Sequence, residues 1–340
     1  MTSVHFGRRA GYLLALALLV TSWSLYFSGD FRNVDVEFYH LYALRFWGHL
    51  AHPSLPTEYP PLSVLVFSLT LAGPPALFPE TFAVAMAVIA GAAFVVFLRL
   101  TSLRQAGAYA IYILAAGVAT LFFRFDLVPA LVTVAAVWLL YRRRFTAVYA
   151  LLALATLLKL FPIVLLPVAV LAQLSAAPHG AKRWAAPLVG ATACLAVVAL
   201  GFAGAALLDP AHGLSSLSYE LQRPDEVESI PATLLWFASL GGLAVRPDTG
   251  FGSLNVVSSG STTVNILAGA ALVVGLAFVY WRQHRGRLTA GQAALACVLV
   301  VLCSSKVLSA QYLIWAAPIL ALVVGFQLRW LFLFLLTGLI

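Results

Sequence analysis

The stretch that decides the fold is WAAPLVGATACLAVVALGFAGAALL, residues 184–208, which contains no Asp, Glu, Lys, Arg or His. A helix of about 20 apolar residues is long enough to cross the hydrocarbon core of a bilayer. In the whole chain of 340 residues, 62% are hydrophobic and 9% are charged, whereas about a quarter of the residues of a soluble domain are charged. The sequence therefore predicts an integral membrane protein and leaves no length for a large soluble catalytic domain.

Apolar runs on both sides of this stretch predict an all-α, polytopic membrane protein with about ten transmembrane helices. Two further runs, 60–73 and 230–245, are predicted to be re-entrant or interfacial helices. The first is too short to cross the membrane. If the second crossed, Arg282, Arg285 and Arg287 would lie outside, against the preference of arginine for the cytoplasmic side. The last run, 330–340, is half a span long, so a truncated C-terminus is expected. The predicted spans are 10–27, 81–98, 105–123, 127–141, 145–158, 160–175, 184–208, 263–281, 288–303 and 312–328.

The basic residues orient these spans, because cytoplasmic loops are enriched in Lys and Arg. The predicted topology is that of a single domain, 1–340, that crosses the bacterial plasma membrane several times with its N-terminus in the cytoplasm. It places all twelve acids outside, mostly in two large outer loops, 28–80 and 209–262. The 13 basic residues predicted inside are Arg8, Arg9, Arg99, Arg104, Arg142, Arg143, Arg144, Lys182, Arg183, Arg282, Arg285, Arg287 and Arg329. A cleaved signal peptide is the alternative for 10–27, but no small-residue cleavage site follows that run.

The composition also disfavours several functions. The three cysteines lie in apolar runs without metal-ligand spacing, so they indicate neither a zinc site nor a disulfide framework. The formal charge of +8 is scattered between apolar runs, which argues against a nucleic-acid partner. Apart from Lys159, the predicted spans contain no ionisable Asp, Glu, Lys, Arg or His, whereas an ion-coupled transporter usually needs such groups near the bilayer midplane.

Two acids in the first outer loop, Asp35 and Glu37, come just before an amphipathic stretch, Phe38 to Leu50, with apolar residues at helical spacing. We expect an interfacial helix here, with both carboxylates preceding its N-terminus. One of them could simply cap the helix. An Asp-x-Glu pair is also typical of divalent-metal sites in sugar transferases, so a divalent metal is a possible cofactor.

Short motifs follow one another along the outer segments: Asp35 with Tyr39 and Gly48, Glu58-Tyr59-Pro60-Pro61-Leu62, Arg124-Phe125-Asp126-Leu127-Val128-Pro129, Lys159-Leu160-Phe161-Pro162, Arg223 with Glu228-Ser229, and Ser305-Lys306-Val307-Leu308-Ser309-Ala310-Gln311-Tyr312. Taken together and in this order, they resemble membrane-embedded glycosyltransferases of the GT-C superfamily, and most closely glycosyltransferase family 87. Two departures are Ala310, where a proline is expected, and Pro224-Asp225-Glu226, where relatives prefer uncharged residues.

The resemblance implies a GT-C-like fold and transfer of a sugar, expected to be mannose, from a polyprenyl-phosphate donor to a lipid or glycan acceptor at the extracytoplasmic face. Asp35 matches the catalytic aspartate of the family and would be the general base. The implied ligands of the donor phosphate are Arg124, Lys159, Arg223 and Lys306. The other implied substrate-binding residues are Glu37, Tyr39, Glu58, Tyr59, Asp126, Glu228 and Gln311.

Simpler roles remain open for several of these residues. Arg124 could pair with Asp126 within one turn, Lys159 could snorkel to the lipid headgroups, and Lys306 could be solvated. The outer histidines His40, His49, His52 and His212 are most simply surface residues, and Trp47, Trp236 and Trp315 are most simply interfacial anchors. Two other functions are also open: a polyprenyl-linked lipid flippase, which needs cations but no base such as Asp35, and a non-catalytic membrane scaffold.

Overall fold

A computed structural model describes residues 34–48, 54–178, 180 and 183–338. The predicted first span, 10–27, lies outside the described residues, as do His49, His52 and Lys182. The described chain is mostly helical, as predicted. Its α-helices are α1 Val34–Phe46, α2 Ser63–Phe67, α3 Phe78–Leu100, α4 Leu103–Ala115, α5 Val118–Phe123, α6 Leu127–Tyr141, α7 Phe145–Leu158, α8 Leu166–Ala176, α9 Ala185–Leu208, α10 Ser215–Gln222, α11 Ile230–Ser239, α12 Ser261–His284, α13 Ala290–Ser304, α14 Leu313–Val323 and α15 Leu328–Gly338.

Three helical segments of the described chain are long and apolar enough to cross a membrane: Pro75–Leu100, which includes α3, together with α9 and α12. Other apolar helices have 10 to 17 residues, which is shorter than the ~20 residues of a typical span. Only Val279 and Gln283 of α12 are buried, as expected for a helix surrounded by lipid. The chain is therefore a membrane protein, and the number of spans stays a prediction.

Two predicted helices are divided in the structure. The run 105–123 is broken between α4 and α5 at Gly117, whose φ of 110° is readily available only to glycine. The run 230–245 forms α11 only to Ser239 and then enters a β-strand at Val245, so its reading as one helix was wrong. Ten helical residues cover only ~15 Å, which is half of the hydrocarbon core.

A small antiparallel sheet follows α10, which the sequence did not predict. Its strands are β1 Asp225–Glu226, β2 Val245–Gly250 and β3 Ser253–Ser258, in the order β1-β3-β2. Phe251 and Gly252 join β2 to β3, and both have positive φ, as in the type I′ turns that match strand twist. The sheet packs on α11, and its central strand β3 fixes the position of β1.

The described helix α1 runs from Val34, so Asp35 and Glu37 lie in its first turn. The prediction that both acids precede the helix was wrong. The free amides of that turn favour carboxylates there as well as at the cap. Tyr39 and Tyr42 lie on the buried face of α1, whereas Phe38 is 42% exposed. The helix packs on α2 and on the 3₁₀-helix Ser68–Leu71, so the predicted short helical segment at 60–73 supports α1.

Segments predicted to share a side of the membrane lie together. Arg104, at the start of α4, donates a hydrogen bond to the carbonyl of Phe326 after α14, at 3.1 Å. The hydroxyl of Tyr141, at the end of α6, lies against Gly291 at the start of α13. The segments predicted to be outside meet at a cavity.

Candidate functional site

A cavity of about 1100 Å³ lies where the predicted outer segments meet. It is lined by the first turn of α1, the loop before α2, the sheet and the segment between α13 and α14. Three of the twelve predicted site residues, Glu37, Tyr39 and Asp126, do not line it. The nine that do are Asp35, Glu58, Tyr59, Arg124, Lys159, Arg223, Glu228, Lys306 and Gln311.

Asp35 and Arg124 form an ion pair on the cavity wall, with side chains 25% and 23% exposed. Asp35 comes from the first turn of α1 and Arg124 follows α5, so tertiary packing brings them together. The alternative pairing of Arg124 with Asp126 is therefore wrong. Burial raises the pKa of Asp35 and the neighbouring guanidinium opposes that rise, because it stabilises the charged carboxylate.

Lys159 is held by a buried carboxylate and a cage of aromatic rings. Its Nζ donates to Asp126 Oδ1 at 2.7 Å, and Trp315 Nε1 donates to the same oxygen at 2.7 Å. The ammonium lies 5.0–5.5 Å from the ring centroids of Tyr59, Phe125, Tyr312 and Trp315. These contacts exclude the snorkelling alternative for Lys159 and the anchor reading of Trp315, which is 6% exposed. Asp126, 1% exposed, thus positions Lys159 from behind the cavity.

Lys306 is also bonded, which corrects the alternative that it is merely solvated. Its Nζ donates to the carbonyl oxygens of Leu221, at 3.0 Å, and Arg223, at 2.7 Å. These carbonyls lie at the C-terminal end of α10, where helices favour cations. Burial lowers the pKa of Lys306, because it disfavours the charged ammonium.

Two predicted carboxylates fasten the loops around the cavity. Glu58 accepts a hydrogen bond from the hydroxyl of Tyr219 at 3.1 Å, and burial raises its pKa. Glu228 accepts one from the backbone N–H of Ala310 at 3.1 Å, which ties the residue before Gln311 to the sheet region.

Glu226 was not among the predicted site residues, although Pro224-Asp225-Glu226 departs from the pattern of relatives. Glu226 lines the cavity and its side chain is 10% exposed. Burial raises its pKa to about 7, against the opposing effect of Arg223. Phe251, at the turn between β2 and β3, was missed too, because a turn position became visible only with the sheet.

The remaining predicted residues lie away from the cavity surface. Tyr39 is 1% exposed and stacks on Phe67 with 4.2 Å between ring centroids, so it supports the wall from behind. Glu37 is exposed. His40 stacks on Phe78, and His212 contacts Asp209 at 3.1 Å, so neither described outer histidine lines the cavity.

The Asp-x-Glu pair does not fit a divalent-metal site. Asp35 is engaged by the Arg124 guanidinium, and Glu37 lies outside the cavity. Elsewhere in the described chain, no three His, Cys, Asp or Glu side chains come close enough to hold a metal ion. We therefore derive no catalytic step through a metal.

One wall of the cavity is apolar and belongs to helices with exposed faces. Ile266 and Leu272 of α12 and Val301 of α13 line it, and Ile266 is 67% exposed. The charged wall thus continues into a surface suited to hydrocarbon. This arrangement defines a membrane protein with a polar site beside its lipid-facing surface.

The chain belongs to glycosyltransferase family 87, whose family model matches residues 57–305, well over half of the 340-residue chain. It is therefore a membrane glycosyltransferase, which favours an enzyme over the flippase and the scaffold. The matched range includes Glu58, Arg124, Lys159 and Arg223, and it ends one residue before Lys306. It includes neither the first turn of α1 nor Gln311. No curated protein and no solved structure matches the chain significantly.

Proposed function

We propose that the chain transfers a sugar, expected to be mannose, from a polyprenyl-phosphate donor to a lipid or glycan acceptor at the extracytoplasmic face of the plasma membrane. The observation that carries the proposal is the cavity itself. Its charged wall suits a sugar phosphate, and its apolar wall on α12 and α13 suits a polyprenyl chain. A water-soluble nucleotide-sugar donor would gain nothing from the apolar wall.

In the proposed reaction, Asp35 is the general base. The acceptor hydroxyl oxygen forms a bond to the anomeric carbon while the bond from that carbon to the phosphate oxygen breaks. Asp35 takes the hydroxyl proton, and the lipid phosphate leaves with the bonding electron pair. Arg124 holds the carboxylate of Asp35 and is close enough to the reacting centre to stabilise the leaving phosphate.

Lys159 and Lys306 are the other proposed phosphate ligands. The ammonium of Lys159 is fixed by Asp126 before substrate arrives, so it needs little reorganisation during the reaction. Lys306 uses two of its three donors on backbone carbonyls and keeps one for a ligand. Arg223 differs from these cations, because it is flanked by the carboxylates of Glu220 and Glu226, at 3.9 and 3.6 Å.

Purified protein in lipid, incubated with a labelled polyprenyl-phosphate sugar and a bacterial lipid extract, tests the proposal. We expect label to move from the polyprenyl carrier to a chromatographically distinct product. Labelled sugar that remains on its carrier, with every candidate sugar and extract, would contradict the proposed donor.

Neutralising the cations is expected to separate their roles. Lys306→Gln should raise the donor KM about tenfold with little change in kcat. This result is expected because Lys306 would contact the phosphate equally in the bound donor and in the transition state. Arg124→Gln should lower kcat, because it also releases Asp35. Initial rates against donor concentration measure both, with Arg246→Gln as control, since Arg246 is exposed on β2. If Arg124, Lys159 and Lys306 variants all stay within about twofold of wild type, the phosphate site lies elsewhere.

The proposed topology places β2 outside and the end of α12 in the cytoplasm. In a Cys303→Ser background, which removes the exposed cysteine, Thr249→Cys should react with a membrane-impermeant maleimide in intact cells. His284→Cys should react only after the membrane is permeabilised. Both residues are exposed, so accessibility within the fold does not separate them. Reversed labelling would overturn the orientation.

A further inference from the structure

Four buried polar atoms of residues that line the cavity have no hydrogen-bond partner within the described part of the chain. They are Glu226 Oε2, Arg223 Nε, Gln311 Oε1 and Asn265 Oδ1. A buried polar group without a partner costs about 1–3 kcal/mol. Four of them around one cavity indicate a polar ligand that satisfies some of them.

Glu226 is held in place by backbone bonds on both sides. In β1 it pairs with Asn255 of β3, and its N–H donates to the carbonyl of Lys306 at 2.9 Å. Its own carbonyl accepts from the N–H of Ser229 at 2.9 Å, and Ser229 caps α11. The side chain is therefore presented by a rigid element, as precise recognition requires.

Arg223 is fixed beside it. Its Nη2 donates to Ser253 Oγ at 3.0 Å and lies 3.6 Å from Glu226 Oε1. Its backbone carbonyl accepts from Lys306 Nζ. Nη1 lies 3.9 Å from Glu220 Oε1, so both outer nitrogens face neighbouring side chains. Nε is buried and has no hydrogen-bond partner in the described chain.

We propose that Glu226 and Arg223, with Gln311, form a subsite that binds adjacent hydroxyl groups of a pyranose ring. One hydroxyl donates to Glu226 Oε2 and the next accepts from Arg223 Nε, while Gln311 Oε1 accepts from a third. The inference rests on the proposed function and adds a substrate-binding residue, Glu226, to it. It also reassigns Arg223 from phosphate to sugar.

The local charge favours a neutral polyol over the two other ligands of polar cavities. A phosphate would face the carboxylates of Glu220 and Glu226, and a metal ion would face the Arg223 guanidinium. Adjacent hydroxyls offer both a donor and an acceptor, which matches the unpartnered acceptor Glu226 Oε2 and the unpartnered donor Arg223 Nε. Phe251, 41% exposed on the same cavity, offers an apolar face for a sugar ring.

Binding of methyl α-D-mannopyranoside and methyl α-D-glucopyranoside to the purified full chain, followed by ligand-observed NMR, tests the subsite without requiring transfer. We expect at least one glycoside to bind wild type, and Glu226→Ala to weaken it by about 10- to 100-fold, the range of a hydrogen bond to a charged group. Glu226→Gln keeps an acceptor oxygen but loses the charge, so it should weaken binding clearly less than Glu226→Ala does. Asp248→Asn, an acid of β2 that does not line the cavity, is the matched control.

Monodeoxy analogues make the test specific to hydroxyl pairs. Removing either of two adjacent hydroxyls should weaken binding to wild type about tenfold, and removing the one bonded to Glu226 should have little further effect in Glu226→Ala. Adding the polyprenyl-phosphate donor shows which substrate supplies the sugar that binds the subsite. Displacement of the glycoside identifies the sugar of the donor, and retention of the glycoside identifies the sugar of the acceptor. Equal binding by wild type and Glu226→Ala, or no glycoside binding at all, would overturn the subsite and leave the test of Asp35 intact.

Discussion

Asp35→Asn is expected to lower turnover by about 10²–10⁴, the usual contribution of general base catalysis. The substitution keeps the shape of the side chain and removes its ability to take a proton from the acceptor hydroxyl. An amide still accepts a hydrogen bond from Arg124, so the cavity wall should keep its geometry. The donor KM should therefore change much less than kcat.

Glu37→Gln is the matched comparison, because Glu37 lies in the same helical turn but outside the cavity. We expect it to cost far less than Asp35→Asn. Rates of product formation in purified, lipid-reconstituted protein measure both variants, with unfolding temperature as a check on folding. Equal turnover of wild type and Asp35→Asn would remove the base assignment.

Asp126→Ala is expected to cause the largest loss of stability, about 3–5 kcal/mol, as for other buried ion pairs that lose one partner. Asp126 is 1% exposed and accepts from both Lys159 and Trp315 at 2.7 Å. Its removal leaves an ammonium that is 13% exposed without a counter-ion. The four surrounding rings offer a cation only partial compensation.

Asp126→Ala combined with Lys159→Met should recover a large part of this stability, because the uncompensated charge is gone. Denaturant titration of the detergent-solubilised protein compares wild type, Asp126→Ala and the double variant, and Asp248→Ala is the control for removal of a weakly held acid. A double variant no more stable than Asp126→Ala would show that the effect came from packing and not from charge. Activity should stay low in the double variant, since the proposed phosphate ligand is lost.

The sequence predicted the described helices best where an apolar run ends at charged or proline-containing segments. Helices α6 and α7 have the predicted bounds, 127–141 and 145–158. Such bounds are local, because the solvation of each residue by lipid or water depends on its own side chain. The outer segments that carry the site were also predictable, because charge patterns and family-like motifs are local features of the sequence.

Only the tertiary structure decided which charges are partners. Asp35 meets Arg124, Lys159 meets Asp126, and Lys306 reaches the end of α10, in each case across distant parts of the chain. The sequence could not choose between these pairings and simpler roles, because pairing depends on packing between helices and not on spacing along the chain. The sheet was missed for a related reason: β1 has two residues, and it exists only because β3 returns beside it. Glu226 becomes a candidate ligand through that pairing, which turns an unremarkable loop acid into a buried carboxylate facing an arginine.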